Sequence, residues 1–396
     1  MKQPSLFESD RLSLTGAIDL SIASLGAYGE KYDHWAIAYS GGKDSTATVA
    51  FVDYALRGGY VRLPKTLTIL YADTRMELPP LQQTAMKLMD DVVRRWTYSW
   101  IIGFRVITEV VQPEMDDRFF VYMLGRGVPP PKNRFRWCTP QLKVEPMHAA
   151  LAHLRAHVGK KFLMLTGVRL GESAARDQRI AVSCSKDSGE CGQGWFQTAT
   201  PAAVADTLAP LLHWRLCHVY DWLYFDDRHG FDVGNIAAIY GEDDVRTGCV
   251  GCNLASRDTA LERVIRHPDW AHLSPLLELK MLYSELTAPT WRKRKTEAEL
   301  RQDGKYSLNV QRMGPLTMEG RAYGLKRILD IQQRAQVDLI NSFEEDRIRE
   351  MWALNVWPRK WSELDADATV EFDAYGLTSD GQLTVQPMLS RNPEEV

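Results

Sequence analysis

Trp35-Ala-Ile-Ala-Tyr39, continued by Ser40-Gly41-Gly42-Lys43-Asp44-Ser45 and then by an amphipathic run to about Leu56, is the stretch that decides the fold. The run from Trp35 to Tyr39 is short, nearly all apolar and without alternation, which suits a strand covered on both faces, as in a parallel sheet. The spacing after Asp44 predicts a helix, so two glycines stand between a strand end and a helix start. Adjacent glycines let the backbone turn tightly, and a helix N-terminus presents unsatisfied N–H groups with a partial positive charge. Ser40, Ser45 and Thr46 add hydroxyls and Lys43 a cation. Together they predict an anion cradle; a glycine turn that only caps a helix is the plain alternative. The Walker A pattern, GxxxxGK[ST], is not matched.

The same alternation continues outward. Thr66 to Ala72 (TLTILYA) predicts a second strand ending at Asp73, Leu81 to Trp100 a crossover helix, and Arg105 to Val111 a third strand. Gln141 to Val158 predicts a helix and Phe162 to Val168 (FLMLTGV) another strand. Strand and helix in turn give an α/β fold with a mostly parallel sheet flanked by helices. Ligands of such sheets bind outside the carboxyl ends of the strands, here just after residues 39, 72 and 168. Pro129-Pro130-Pro131 with Lys132 to Arg136 reads as an exposed loop, and 183–194 (SCSKDSGECGQG) as a polar one that needs something to hold it. Helical spacing returns over 260–286 and 321–352. The expected organisation is an α/β domain over 1–260, a mainly helical region over 261–361 and an acidic tail over 362–396.

Composition narrows the classes. A chain of 396 residues with 48 Lys+Arg against 51 Asp+Glu is no basic nucleic-acid coat. The net charge of -3 hides unevenness: 289–334 holds eleven Lys/Arg and five acids, locally +6, whereas 362–396 holds eight acids and one Arg. The +6 segment, with Trp291 and Arg292 to Lys295, is a candidate to follow a phosphate backbone, against the plainer reading of a solvated face. The N-terminal MKQPSLFESDRLSL has no apolar signal stretch and no window approaches the ~18 apolar residues of a membrane span, so a cytoplasmic protein is expected. Six cysteines, at 138, 184, 191, 217, 249 and 252, are too sparse for a disulfide scaffold and read as metal ligands, reactive thiols or buried side chains.

Cys249-Val-Gly-Cys252 has a spacing that zinc, an iron–sulfur cluster and a redox dithiol all use. Cys184 and Cys191 offer a second pair, and four thiolates suit a structural zinc or a [4Fe–4S] cluster. Cys217, within HWRLCHVYDWL, is expected as a buried thiol on an aromatic helix. An Arg and a Lys flank Cys138 in Arg136-Trp-Cys-Thr-Pro-Gln-Leu-Lys143, which in principle lowers its thiolate pKa.

SGGKDS resembles the signature of the PP-loop (adenine nucleotide alpha hydrolase-like) ATP pyrophosphatases, which split ATP between its α- and β-phosphates. RWCTPQLK and the stretch Gly167-Val-Arg169-x-x-Glu172-Ser-x-x-Arg176 resemble the phosphoadenylylsulfate (PAPS) reductase branch of that superfamily. The resemblance implies ATP and Mg²⁺ as cofactors, with Ser40, Gly41, Gly42, Lys43, Asp44, Ser45, Asp73, Gly167, Arg169 and Arg176 around the nucleotide. It also implies catalytic roles for Lys43, Asp44, Ser45 and Cys138; Glu172 pairing with either arginine is the structural alternative. Residues 246–261 (RTGCVGCNLASRDTAL) resemble DndC-type enzymes of DNA phosphorothioation, with the shorter SspD type in the same group. That points to an iron–sulfur cluster, [4Fe–4S], on Cys184, Cys191, Cys249 and Cys252, although this chain departs from the pattern by lacking a second cysteine pair shortly upstream of Cys249. Cys138 is either a rival for one of those places or a sulfur-carrying thiol. The implied partners are DNA, through its backbone phosphate, a cysteine desulfurase or other sulfur donor, and other modification-complex subunits. The alternatives are a PAPS or adenylylsulfate reductase, which typically carries an ECG cysteine in a C-terminal tail (here ECG is internal, 190–192), and a tRNA-thiolation enzyme, which uses paired CxxC motifs.

Overall fold

The computed structural model describes residues 12–98, 103–133, 135–172, 178, 189–190, 195–197, 204–241, 247–296, 299–300, 304–306, 312–369, 374–377 and 383–386. The chain forms two compact units, Met1–Gln112 with Lys143–Gly248, and Pro113–Leu142 with Cys249–Val396. Each is interrupted in sequence, because 113–142 leaves the α/β unit to join the C-terminal residues. The boundary expected near 260 thus falls inside the second unit.

In the first unit, helix α1 (Leu14–Gly29) leads to β1 (His34–Tyr39), α2 (Lys43–Arg57), β2 (Thr66–Ala72), α3 (Pro79–Thr97), β3 (Arg105–Val111), α4 (Glu145–Val158) and β4 (Phe162–Leu165). Beyond them come β5 (Gly189–Glu190), β6 (Trp195–Gln197) and β7 (Ala205–Ala209). The sheet order is β3-β2-β1-β4-β7-β6-β5, parallel from β3 through β7 and antiparallel at β6 and β5. β2 and β3 have the expected bounds. β4 stops at Leu165, three residues short of the predicted end, and beyond it Gly167 and Arg169 meet the loop after β1. The helix predicted from Gln141 begins as a π-helical turn over Pro140–Val144 and becomes α-helical at Glu145.

The order places the switch point beside β1: the chain runs one way to β2 and β3 and the other way to β4 and β7. The crevice at that point lies at the carboxyl ends of β1 and β4, where Gly167 approaches Asp44 and Ser45. β1 and β2 are buried along nearly their whole length, with Trp35, Ile37, Tyr39, Leu67, Ile69 and Tyr71 in the core. α3 starts on Pro79 and Pro80, whose missing N–H groups cost nothing in a first turn. α4 stops at Gly159, left-handed at φ 72°.

Asp53 of α2 anchors the helix layer. Its carboxylate is fully buried and accepts from Arg57 Nε at 2.7 Å, Arg95 Nη1 at 3.2 Å and Trp96 Nε1 at 2.7 Å. Asp53→Ala leaves two guanidinium groups and an indole N–H without that acceptor. Urea unfolding should register a loss of about 2–4 kcal/mol, allowing for the partly exposed Arg57.

The second unit is mainly helical. Helix Met318–Ala335 packs on the 3₁₀ segment Pro268–Leu277 and on the π-helical turn Val121–Gly125. A small antiparallel sheet joins β8 (Arg292–Arg294) and β9 (Met313–Leu316) to β10 (Ala366–Asp367), so the start of the acidic tail is a strand. Arg321 is fully buried, over the Trp357 ring, and donates to the carbonyls of Gly125, Val356 and Leu316.

This unit also accounts for much of the +6 segment. Arg292, Arg294 and Arg321 are buried. Lys293 pairs with Asp367 at 2.9 Å, Lys295 with Asp365 at 2.7 Å, Arg312 with Glu299 at 2.7 Å and Arg334 with Glu278 at 2.7 Å. Part of the segment's positive charge is therefore answered within the unit, and three of its arginines are core residues. Among the described residues no helix is long and apolar enough to cross a membrane.

Candidate functional site: a phosphate loop at the switch point

The loop after β1 encloses one wall of a cavity of about 790 Å³ lined by Ser40, Gly42, Lys43, Asp44, Ser45, Gly167 to Glu172, Arg215, Tyr240 and Thr247, with Ala38 and Leu216. Gly41 sits at φ 74°, which an L side chain rarely adopts, and a Cβ there would press on Ala85. Gly42 is the N-cap of α2 and supplies no side-chain cap, and the N–H of Lys43, first in the helix, goes to the Tyr240 hydroxyl. Ser45 ties the loop together: its Oγ donates to Gly42 O at 3.0 Å, lies 3.1 Å from Ser40 Oγ and accepts from Ser40 N–H at 3.3 Å.

Asp44 does not point its charge into the cavity alone. Arg169 Nε donates to Asp44 Oδ1 at 2.6 Å, and Lys43 Nζ lies 3.4 Å from Oδ2. Arg169 is 4 % exposed and also donates from Nη1 to Trp214 O at 3.3 Å. The guanidinium expected to fork onto phosphate oxygens therefore gives one donor to the loop's carboxylate and another to a backbone carbonyl. Glu172 takes the structural alternative in modified form, accepting from the Arg169 backbone N–H at 3.1 Å. Gly167 lies against the loop itself: a Cβ would stand 2.9 Å from Asp44 C, Asp44 O and Ser45 N.

Sequence reasoning missed Tyr240. Its hydroxyl accepts from Lys43 N–H at 3.3 Å and meets Thr247 Oγ1 at 2.6 Å, while Lys43 Nζ lies 4.8 Å from its ring centroid. Burial raises the Tyr240 pKa, so the phenol stays neutral. It ends a short helix, Gly234–Tyr240, about two hundred residues from the loop, and no motif marks it. Arg215, also in the lining, was missed for the same reason.

Asp73 is placed elsewhere. It is buried at the end of β2, accepting from Arg75 N–H at 2.8 Å and Gln112 Nε2 at 2.8 Å, and is not among the residues that line the loop cavity. Arg176 lies outside the described residues.

The described cysteines, 138, 217, 249 and 252, are all thiols. Cys252 N–H donates to Cys249 O at 3.1 Å, closing a turn on Gly251 at φ 66°, where a Cβ would meet Leu279 Cβ at 2.7 Å. Asp258 secures this turn, accepting from Gly251 N–H at 3.0 Å while capping helix Thr259–Val264. Buried Tyr283 lies beside both thiols, and its pKa rises through burial and then through the charges of Cys249 and Cys252. Cys138 belongs to the same unit and its thiol pKa is raised, first by burial, with a contribution from Cys252. Cys249 and Cys252 thus share one turn, and Cys138 belongs to the same unit. Among the described residues no group of three His, Cys, Asp or Glu side chains is set to hold a metal ion. Cys184 and Cys191 lie outside the described residues, so the four-thiolate set is neither assembled nor dispersed.

Two expectations about thiols are corrected. The flanking cations do not lower the Cys138 pKa: Arg136 is exposed and donates to Asn133, and burial governs the thiol. Cys217 is exposed, because helix Leu216–Tyr220 turns His218 and Val219 inward instead. Iodoacetamide at pH 7.5 should therefore label Cys217 well before Cys138, and Cys138 labelling should rise as the pH is taken above its ordinary thiol value. Peptide mapping by mass spectrometry reads both sites.

A family model for the phosphoadenosine phosphosulfate reductase domain matches residues 34–254, more than half of the chain. The chain belongs to the phosphoadenosine phosphosulfate reductase domain family. The match spans the loop of residues 40–45, the Gly167 segment and the Cys249–Cys252 turn of this PAPS reductase-family chain. Among solved structures it is similar to phosphoadenylyl-sulfate (PAPS) reductase from Candida auris in a phosphate complex, 14% identical, covering 55% of this chain and 89% of that one at a TM-score of 0.28. It is also similar to the U34-tRNA thiolase NcsA from Methanococcus maripaludis with its [4Fe-4S] cluster, 12% identical, covering 69% and 79% at a TM-score of 0.31. No curated protein matches it in sequence.

Proposed function

We propose that the chain splits ATP into AMP and pyrophosphate at the loop of residues 40–45 and uses the reaction to activate a DNA backbone phosphate for sulfur insertion. The observation that carries the first half is the cradle itself: a glycine turn and helix start at the switch point, with Lys43 beside it. The pyrophosphate end of ATP suits that cradle, where N–H groups and the Lys43 ammonium stabilise the charge that develops as the α–β bond breaks. A non-bridging DNA oxygen attacks the α-phosphorus, pyrophosphate leaves, and a mixed anhydride with AMP forms. A sulfide-level nucleophile then attacks the DNA phosphorus, and AMP departs with the oxygen. Mg²⁺ supplies charge neutralisation on the phosphates when bound. Cys184, Cys191, Cys249 and Cys252 are the candidates in this chain to ligate a cluster, with Cys138 as a rival for one place or a carrier of the sulfur.

The DNA half rests on the resemblance of 246–261 to the DndC-type stretch. The second reading, reduction of PAPS or adenylylsulfate, is favoured by the family description. That chemistry needs a thiol at the nucleotide's sulfate end, and no cysteine is among the described residues that line the loop cavity.

The deciding experiment measures AMP and pyrophosphate with ATP, Mg²⁺ and DNA, then compares phosphorothioate dinucleotides in nuclease digests of DNA from cells with and without the gene. Release of both products with loss of the dinucleotides on deletion is expected. No AMP release with DNA or a sulfonucleotide, or unchanged dinucleotides, would remove the reading.

A further inference from the structure

The second unit holds a cavity of about 370 Å³, separate from the residues of the loop cavity. Lys132 and Phe135 in its lining are paired, Lys132 N–H donating to Phe135 O at 3.2 Å and Phe135 N–H to Lys132 O at 2.8 Å. The lining also includes Arg292 of β8, Met313 to Pro315 of β9, and Trp361. The described lining carries Lys132, Arg292 and Arg312 and no carboxylate.

Arg292 sets the sign of the occupant. It is 5 % exposed, its Nε and Nη2 both donate to the carbonyl of Gly314, and no carboxylate among the described residues pairs with it. Burial without a counter-ion pulls its pKa down to about 10. A guanidinium held out of water is costly, and an anion in the cavity offsets that cost. Arg312 differs, since Glu299 neutralises it at 2.7 Å while its guanidinium lies over the Trp361 ring.

The second ingredient is aromatic. Phe135 lines the cavity with 47 % of its surface exposed, as does exposed Lys132, and Trp361 and Tyr122 belong to the same lining. A basic groove with exposed rings is what the backbone and base faces of single strands require, because phosphates meet cations and each base offers a π-face. A duplex hides those faces in its stack.

We propose that this cleft holds one nucleotide unit of a single DNA strand, with its phosphate toward Arg292 and Lys132 and its base against the Phe135 ring. The identity of the strand as DNA rests on the function proposed above; the phosphate-plus-base chemistry comes from the cavity. A free mononucleotide shares that chemistry and differs in having no neighbours along a backbone.

The test uses the full chain and a fluorescein-labelled oligo(dT) of about twelve nucleotides, with anisotropy titrations over a range of salt. Phe135→Ala should weaken binding about tenfold, by loss of one stacking platform, and leave the salt dependence unchanged. Lys132→Gln should weaken binding and flatten the slope of log K against log salt by about 0.7, the share of one single-strand phosphate contact. Both side chains are exposed, so neither variant empties the core, and a folding defect would not split the two readouts in this way. Wild-type affinity in either variant overturns the proposal. So does displacement of the strand by dTMP at equal nucleotide concentration, which makes this a mononucleotide site, or tighter binding of a duplex of the same length. AMP release from the same preparations separates the two readings: its absence in the wild-type protein counts against the phosphate loop alone, whereas variant-insensitive strand binding beside intact AMP release removes only the cleft.

Discussion

Gly167→Ala lowers ATP cleavage about 100-fold, the largest effect expected from the addition of one methyl group to this protein. The added Cβ would stand 2.9 Å from Asp44 C, Asp44 O and Ser45 N, all backbone atoms that cannot swing aside. Either the loop of residues 40–45 or the segment after β4 must shift by several tenths of an ångström. Overpacking of this kind costs about 1–3 kcal/mol of stability, a tolerable loss for a domain of this size. The rate suffers more, because a displacement near 1 Å in the groups that position a reacting phosphate can cost about 100-fold. Pyrophosphate release under saturating ATP reads the effect. Gly26→Ala is the control: it lies within α1, its Cβ would meet nothing within 4 Å, and removing a helical glycine should raise stability by about 0.5–1 kcal/mol at unchanged rate. A Gly167→Ala rate within threefold of wild type would mean that ATP does not react at this loop.

Arg169→Ala is expected to act through Asp44. The Arg169 side chain is 5% exposed and the Asp44 side chain 17%, so their 2.6 Å pair is poorly screened by solvent. Removing one partner of such a pair typically costs about 3–5 kcal/mol, because the other is left as an uncompensated charge. Lys43 remains, 3.4 Å from the other oxygen of Asp44, and draws the carboxylate toward the space where phosphate would sit. ATP then meets a negative charge, and cleavage should fall by at least about 100-fold, comparable to loss of a charge-stabilising group. Asp44→Asn in the Arg169→Ala background should recover part of the stability measured in urea, since the orphaned charge disappears. If the double variant loses the sum of the two single-variant losses, the pair contributes nothing and the role assigned to Arg169 fails.

Much of the first unit was legible because its signals are local. β2 begins and ends where its run of β-branched and apolar residues does, since burial on both faces of a parallel strand leaves no position for a charge, whereas the edge strand β3 keeps Arg105 and Glu109 and was marked by its Val and Ile residues. The phosphate loop was legible for the same reason: strand, two glycines and helix are consecutive, and their geometry follows from neighbouring φ and ψ angles. Thiol properties were not. Residues adjacent to Cys138 in sequence suggested a lowered pKa, but Arg136 turns to Asn133 and burial decides. Nor does a local charge count show that Arg292 and Arg321 are core residues of the second unit, since burial depends on what the rest of the unit folds around them.

What the amino-acid sequence determined by itself is a mostly parallel α/β sheet with a glycine turn between its first strand and the helix that follows, and the family that carries that turn. The tertiary structure alone decided which distant groups complete the site. Gly167 reaches the loop because β4 pairs with β1, Tyr240 because a short helix ends beside Lys43, and Cys138 nears Cys252 because residues 113–142 join the C-terminal unit. The physical reason is range. Backbone conformation and apolar periodicity are written within a few residues of each other, whereas a hydrogen bond to Lys43 or a counter-ion for Asp44 can come from any residue the fold brings within about 3 Å, and no spacing along the chain encodes that meeting.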